Sequence, residues 1–477
     1  MHHDATHALS VRAARVLALA ILALGASGLS LATAARVSAQ PMDTYGMGSR
    51  SVAMGGAVTA DVEDFSANYY NPAGLARARA ARIGIGYFGA FHEMSVDDLD
   101  SNIDPLRGIV LGLVVPGEIE GVRFAFGLGV HLNDDYISRT RSLPGRRPRW
   151  ELYDNRPRRI FLAAHLAIRP VEWLTIGGGI SFLSYSTNTL AIRGNLDILM
   201  PERRSHLEHE IRADLTTIRY PQVGVQVQPL PELSFGAVYR GQFALDNKLQ
   251  ALVGCEVPDD PFCTTSLSFT GFGDPFPGYF SLLSQAVNAF VPQQISLGGS
   301  WSPTPDFRLN VEVTWVNWSA YVSPVGRSDI TLRIAVPESL RDMIRVPESI
   351  MGSSPQPALF QDRFVPRIGA EGVILRERMV EMRGRGGFFY ENSPVPNQVS
   401  LTNLIDSDRF VFSLGLGLRL SDLRPLLPGF IQADFHFQYS LLPERVMTKT
   451  SLVDPVGDFR ASGQIFAGGA TIEVGFE

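Results

Sequence analysis

Apolar and polar residues alternate with a period of two through most of the chain after Ala81. The stretch 410–420 reads FVFSLGLGLRL, with a large apolar residue at every second position and mostly small or charged residues between. The stretches 431–439 (IQADFHFQY) and 309–315 (LNVEVTW) repeat this pattern. A period of two is that of a β-strand with one apolar face. The pattern therefore predicts an all-β chain.

Fourteen segments carry this alternation, and they are long for strands. They run to roughly 10–14 residues, whereas globular strands average about 5–6 and tilted membrane strands need about 9–11. Their length favours strands that cross a bilayer. The predicted strands lie near 82–92, 107–115, 121–132, 158–169, 172–186, 220–229, 232–242, 293–303, 306–320, 363–375, 378–391, 408–420, 429–440 and 462–476.

The connections between these segments alternate between short and long. Arg169-Pro170 and Leu230-Pro231 are typical short turns, whereas the largest connections span about 187–219, 243–292 and 321–362. Short turns at one end and long loops at the other are typical of outer-membrane barrels. An even number of strands returns both ends of the barrel to the side of the short turns. We therefore predict a 14-stranded antiparallel transmembrane β-barrel, spanning 82–477, in the bacterial outer membrane.

Aromatic residues occur at both ends of the predicted strands. Trp173 and Trp301 lie beside short turns, and Trp315, Trp318 and Tyr321 lie beside a long loop. Two aromatic girdles flank the apolar band of a membrane barrel. Their positions agree with a bilayer on the outer surface.

The stretch Gly46–Leu75 differs from everything that follows it. It reads GMGSRSVAMGGAVTADVEDFSANYYNPAGL, with two glycine clusters and no period of two. A compact glycine-rich element before a long strand array suggests a segment that the array encloses. We therefore expect an N-terminal hatch, or plug, over residues 40–81.

Residues 1–39 have the pattern of a secretory signal peptide. Arg12 and Arg15 precede the apolar run Val16–Leu24, and Val37-Ser38-Ala39 forms a small-x-small cleavage site. The alternative is an uncleaved anchor of about 20 residues. Both predict export from the cytoplasm.

The composition excludes several other kinds of protein. The formal net charge is −6 and only two of the 42 basic residues are lysine, so nothing indicates a nucleic-acid partner. Cys255 and Cys263 favour a loop-closing disulfide in an exported chain, and two thiols alone would make a poor metal site. Nucleophile-elbow, P-loop and HExxH motifs are missing. We therefore expect no enzyme, no metal and no cofactor.

Several segments resemble the FadL-type family of outer-membrane transporters (OmpP1/FadL/TodX). The resemblance is carried by GSRSVAMGGA at 48–57 and NPAGL at 71–75, and by PQQISLG at 292–298, WVNW at 315–318, RIGAE at 367–371 and RGRGGFFYENSPVP at 383–396. It covers essentially the whole mature chain. Related secretion barrels share a similar start, so the later segments favour the transporter.

The resemblance implies passive uptake of long-chain fatty acids or similar hydrophobic compounds. Substrate would land on a groove in the extracellular loops, enter a lumen pocket, move the hatch and leave through the barrel wall. It implies a hatch motif at Asn71, Pro72, Ala73 and Gly74. Gly127 and Gly129 are candidates for a bulged or weakly paired strand at the lateral exit.

One long loop carries a candidate landing surface for the hydrophobic substrate. Its apolar residues recur at helical spacing, which predicts a short helix with one apolar face. Packing against the neighbouring loop 187–219 is the alternative. The residues are Phe276, Tyr279, Phe280, Leu283, Val287 and Phe290.

Two other functions fit a barrel, and two further partners are expected. A scaffold for protein secretion or surface display predicts a partner-binding rim, and a general diffusion porin predicts an open lumen. The arginine-rich loop 139–159 is suited to lipopolysaccharide phosphates or other outer-membrane lipids, with a fatty-acid carboxylate or simple solvation as the alternatives. We expect the barrel to be a monomer.

Overall fold

Fourteen long strands form one closed antiparallel barrel. The computed structural model describes residues 42–135, 148–154, 159–197, 206–253, 267–270, 276–321, 327–334, 349–351, 358–397, 403–423, 428–449 and 456–476. The barrel strands are β1 (Ala81–Val96), β2 (Leu106–Ile119), β3 (Val122–Asn133), β4 (Phe161–Val171), β5 (Leu174–Asp197), β6 (His206–Leu230), β7 (Leu233–Arg240), β8 (Gln294–Thr304), β9 (Phe307–Val316), β10 (Arg363–Arg376), β11 (Val380–Glu391), β12 (Arg409–Ser421), β13 (Gly429–Met447) and β14 (Phe459–Phe476).

Each strand pairs with the next along the chain, and β14 closes on β1. The closing register runs without a break from Ala81 opposite Phe476 to Val96 opposite Ala461. All fourteen predicted segments overlap a barrel strand. The predicted 14-stranded barrel is confirmed.

The outer surface of the barrel is apolar and the inner surface is largely polar. Ile83 and Ile85 of β1 are each about half exposed (54%), and Leu414 of β12 is 65% exposed. Polar residues at the alternate positions, such as Gln226 and Asn310, are buried. This inversion suits a lipid-facing barrel. Among the described residues, no helix is long and apolar enough to cross a membrane.

The long connections contain more strand than the sequence predicted. β5 and β6 pair as one hairpin up to Asn195 opposite His206, which replaces much of the predicted loop 187–219. Polar residues dominate this extension, so the apolar alternation is weaker there than in the predicted membrane strands. Further strands lie at Leu99–Asp100, Phe243–Val253, Leu267–Thr270, Phe276–Val291, Arg327–Ile334 and Ser349–Met351.

The helix predicted for the apolar loop segment is wrong. Phe276–Val291 is a strand that pairs with Phe243–Val253 on one side and Arg327–Ile334 on the other. Hydrogen bonds to both neighbours outweigh the local helical spacing of Phe276, Tyr279, Phe280, Leu283, Val287 and Phe290. Residues three or four apart do not share one face of a strand throughout. The predicted helix is therefore not formed, and the landing surface stays a prediction.

Three other predictions lie outside the described residues. They concern the signal peptide, the Cys255–Cys263 disulfide and most of the arginine-rich loop.

The N-terminal segment before β1 folds into short helices. Two α-helical turns span Met42–Tyr45 and Ser49–Ala53, and two 3₁₀ turns span Phe65–Asn68 and Pro72–Arg77. Almost all residues from 42 to 80 are buried or half-buried. We keep the name hatch for this segment.

Candidate functional site

The hatch lies so close to the barrel wall that side chains are missing where the two meet. A Cβ on Gly224 would lie 1.9 Å from the Asn71 Oδ1 atom, and a Cβ on Gly387 would lie 2.1 Å from the Gly55 nitrogen. Such distances leave room only for glycine. Wall glycines with a hatch atom at 2.6 Å or less from the added Cβ include Gly84, Gly112, Gly127, Gly177, Gly224, Gly236, Gly369, Gly387 and Gly415.

Gly127 and Gly129 belong to this contact, and they do not bulge their strand. β3 pairs continuously with β2 and β4 through both residues. A Cβ on Gly127 would lie 2.6 Å from Asn68 and Leu75 atoms of the hatch. The prediction of a bulged or weakly paired strand here is therefore wrong, because close approach of the hatch already accounts for these glycines.

Asn71 joins the hatch motif to the barrel wall. Its Oδ1 accepts a hydrogen bond from the Ala73 N–H (3.1 Å) and caps the following 3₁₀ turn. Its Nδ2 donates to the carbonyl oxygens of Thr59 (2.8 Å) and Val225 (3.1 Å). The side chain is fully buried. Only a primary amide offers both donors and an acceptor in this arrangement.

The other motif residues fit the same turn. Pro72 occupies the first position of the 3₁₀ turn, where a missing N–H costs nothing. A Cβ on Gly74 would lie 1.9 Å from the Val62 oxygen. Ala73 is fully buried. The motif thus binds one part of the hatch to another, and it binds the hatch to β6.

Wall side chains that the sequence analysis overlooked satisfy hatch carbonyl groups. Asn310 donates to the Ala57 oxygen (2.7 Å), Gln222 to that of Tyr69 (2.8 Å) and Ser234 to that of Ala60 (3.0 Å). Irregular backbone needs such partners when it is buried. In the sequence, these residues could have been found as neutral polar residues at the inward positions of the predicted strands.

A layer of charged residues joins hatch and wall toward the short turns. Asp61 of the hatch is paired with Arg50 (2.8 Å) and with Arg308 of β9 (2.9 Å). Glu371 of β10 pairs with Arg385 (2.6 Å) and with Arg50 (3.4 Å). These ion pairs join the hatch to β9 and β10.

Arg50 keeps its charge in this layer although it is enclosed. Burial opposes the charge of Arg50, but the carboxylates of Glu371 and Asp61 raise its pKa well above the usual value. A polar cavity of about 350 Å³ borders the layer and is lined by both acidic and basic side chains. The space below the hatch is therefore strongly polar.

An apolar cluster fills the opposite end of the lumen, toward the long loops. Trp150 and Trp318 are almost completely buried, and Tyr321 stacks on Phe360 with ring centroids 4.3 Å apart. We call this set the mouth cluster, and it consists of Trp150, Leu152, Tyr153, Trp318, Tyr321, Phe360, Leu404 and Ile405.

Aromatic contacts connect the mouth cluster to the hatch. The Tyr153 ring lies edge-on to Trp150 (6.1 Å) and to His92 of β1 (6.5 Å). The His92 Nε2 atom is 2.5 Å from the hydroxyl of Tyr45 in the first hatch helix. Tyr153 and His92 therefore link the mouth cluster to Tyr45 of the hatch, so a displacement of the mouth cluster can affect the hatch.

The arginines beside the mouth cluster face a carboxylate. Glu391 of β11 pairs with Arg409 (2.6 Å) and with Arg363 (3.4 Å). Arg363 also lies over the Trp318 ring, 5.3 Å from its centroid. Glu391 thus already engages both of these arginines, and Arg367 lies 3.8 Å from it as well.

Within the described ranges, no group of His, Cys, Asp or Glu side chains is arranged to hold a metal ion.

Replacing Asn71 by Asp should loosen the hatch. The Thr59 and Val225 oxygens would each lose this donor and face a carboxylate, although Gln226 still donates to Thr59, at a cost of about 1–3 kcal/mol. We expect a lower thermal unfolding temperature in detergent and a higher ionic conductance in planar bilayers. Asn102→Asp, at an exposed loop position, serves as the matched control. Wild-type conductance and stability in Asn71→Asp would contradict this role.

Replacing Asp61 by Asn should destabilise the charged layer. Removing one partner of a buried ion pair costs about 3–5 kcal/mol because the other charge stays buried. Asp98→Asn breaks an exposed pair with Arg460 and should cost less than about 1 kcal/mol. Denaturant unfolding in micelles measures both variants. An equal loss of unfolding free energy in the two variants would argue against a role of the charged layer in holding the hatch.

Comparison with known proteins places the chain in a family. Residues 28–467 match the family described as outer membrane protein transport protein (OMPP1/FadL/TodX). Alkane uptake protein A of Marinobacter nauticus is 25% identical over 479 residues, which cover 96% of each chain.

Solved structures share the fold. The toluene transporter TodX of Pseudomonas putida superimposes with a TM-score of 0.51 at 16% identity, covering 91% of this chain and 99% of TodX. A FadL homologue of Pseudomonas aeruginosa gives 0.50 at 14% identity, with coverages of 93% and 99%. With the family match over most of its length, the chain belongs to the OmpP1/FadL/TodX family of channels for hydrophobic compounds in the bacterial outer membrane.

Proposed function

We propose that this protein takes up uncharged, alkane-like hydrocarbons by passive diffusion, with long-chain fatty acids as the second candidate. The mouth cluster carries the proposal. It is a buried apolar interior that joins the long loops to the hatch. Moving one methylene group from water to such a surface is favourable by about 0.8 kcal/mol of free energy.

The charges around the mouth cluster favour a substrate without a carboxylate. A fatty-acid headgroup needs a cation, whereas Arg409 and Arg363 already face Glu391 at 2.6 and 3.4 Å. A second carboxylate there would have to compete with Glu391 for these arginines. The relative from Marinobacter nauticus, an alkane uptake protein, agrees with an uncharged substrate.

The route we propose has three steps. A hydrocarbon lands on the loops, where the strand Phe276–Val291 remains our predicted surface, and displaces the segment that carries Trp150 and Tyr153. Loss of the Tyr153–His92 contact then frees Tyr45 and shifts the hatch. The strongly polar layer beyond the hatch disfavours an apolar molecule, so the substrate leaves sideways through the wall.

The lateral step requires the wall to change its pairing. Asn68 and Leu75 cover the backbone at Gly127 and Gly129, where the wall has no side chains of its own. We propose that the hatch uncovers this part of β3 as it moves, and that β3 then separates from a neighbour. The hatch fills the lumen that a general diffusion porin would leave open.

Two further proposals concern the surroundings of the barrel. We propose that the barrel acts as a monomer, and that the arginine-rich loop contacts lipopolysaccharide phosphates. Arg149 and Arg159 of that loop are buried, which leaves its other arginines for this role.

Uptake of radiolabelled hexadecane and palmitate by cells tests the proposal. Deleting the protein should abolish facilitated hexadecane uptake, and Leu152→Asp should lower it about tenfold or more, because an unpaired carboxylate is costly in an apolar interior. Leu99→Asp makes the same change at an exposed loop position. It should keep uptake within about twofold of wild type, as expected for an exposed side chain.

The two labelled substrates separate the parts of the proposal. Palmitate uptake without hexadecane uptake would reject the alkane preference and keep a hydrophobic channel. Unchanged uptake of both after deletion would reject the function. Folding of each variant is checked by the heat-dependent gel mobility of the barrel.

A further inference from the structure

A shallow groove crosses the lipid-facing surface where β14 closes on β1. Its volume is about 690 Å³, within the range of small-ligand sites. Gly89 and Gly468 lie opposite each other at its floor, and Ala470 extends the floor by one pleat. Phe435 and Phe437 of β13 form one wall and are each about half exposed. The outer surface here is concave and apolar.

The glycines at the floor of the groove are not needed for close packing inside the protein. A Cβ on Gly89 would have its nearest neighbours at 3.6 Å (Phe91) and 3.8 Å (Arg107), and a Cβ on Gly468 would lie 3.4 Å from the His436 oxygen. These are ordinary contact distances. A Cβ on Gly112, by contrast, would lie 2.2 Å from Phe65 of the hatch. The glycines that face the hatch are needed for close approach, whereas the two in the groove keep space open toward the membrane.

A cation lies at the rim of the groove. Arg107 is exposed, pairs with Gly89 and is the second residue of β2, so it lies at the long-loop end of that strand, while β1 continues to Val96. Its guanidinium carbon lies 5.5 Å from the centroid of the Phe91 ring. The nearby Asp134 carboxylate accepts a hydrogen bond from the Tyr87 hydroxyl (2.5 Å). The groove therefore has an apolar floor with a guanidinium at its loop-side end.

This combination fits one occupant in an outer membrane. A flexible saturated chain matches the floor and the aromatic wall, and a phosphate beside the chain matches Arg107. The loop side faces the outer leaflet, whose lipid with acyl chains and phosphates is lipopolysaccharide. We propose that the groove over β13, β14 and β1 binds an acyl chain of lipopolysaccharide, with a lipid A phosphate at Arg107. The site is separate from the lumen route of the hydrocarbon.

Native mass spectrometry of the full-length protein in detergent, titrated with bisphosphorylated lipid A, tests the site. Gly468→Leu fills the floor and should weaken binding about tenfold, by roughly the burial energy of two methylene groups. Arg107→Gln should weaken it about tenfold through loss of a charge-assisted hydrogen bond. Dephosphorylated lipid A should bind wild type and Arg107→Gln equally.

Gly299→Leu is the matched control. Gly299 is an outward glycine of β8 that lies between Phe235 and Val311. The Gly299→Leu variant should bind lipid A as tightly as the wild type. Equal binding by all variants, or equal weakening by Gly299→Leu, would overturn the proposal. Displacement of lipid A by hexadecane would assign the groove to the substrate instead. Dimers that Gly468→Leu abolishes would assign it to a second copy of the chain.

Discussion

A fourteen-stranded barrel encloses more space than its own side chains can fill, and this constraint shapes the rest of the molecule. Eight strands give an interior just wide enough for wall side chains, and wider barrels need a plug or hold water. Here the segment from Met42 to Ala80 is largely buried and packs against wall glycines of many strands. Because the hatch is irregular backbone, each of its buried polar groups needs a partner. Asn71 and the inward amides of Asn310 and Gln222 supply several of them.

The same constraint explains the glycines in the wall. A hatch of two short helices and two 3₁₀ turns is too wide to fit inside a wall that carries side chains at every inward position. Gly224, Gly236 and Gly387 let hatch atoms approach the strand backbone itself. The hatch is therefore held by shape as well as by hydrogen bonds, and its movement must break both at once.

The hatch also divides the lumen into two unlike environments. On the loop side, Trp150, Trp318 and Leu404 form a buried apolar cluster. On the turn side, Asp61 and Glu371 join arginines around a polar cavity. An apolar molecule is stabilised in the first and not in the second. The asymmetry gives hydrophobic compounds a place to bind above the hatch and a reason to leave through the wall.

The sequence by itself determined the barrel, because membrane strands must alternate apolar and polar residues over a length set by the bilayer. It also indicated the hatch, since its glycine clusters and Asn71-Pro72 break that alternation. Only the tertiary structure decided what the individual residues do. Gly127 and Gly129 contact the hatch and do not bulge β3, which depends on a distant segment. Phe276–Val291 is a strand because two partners far along the chain pair with it, against its local spacing. The contact of Tyr153 with His92 joins the helical turn Glu151–Asp154 to a strand and could not be inferred locally. Period and length are local properties of a chain, whereas close approach and pairing between distant segments exist only once it has folded.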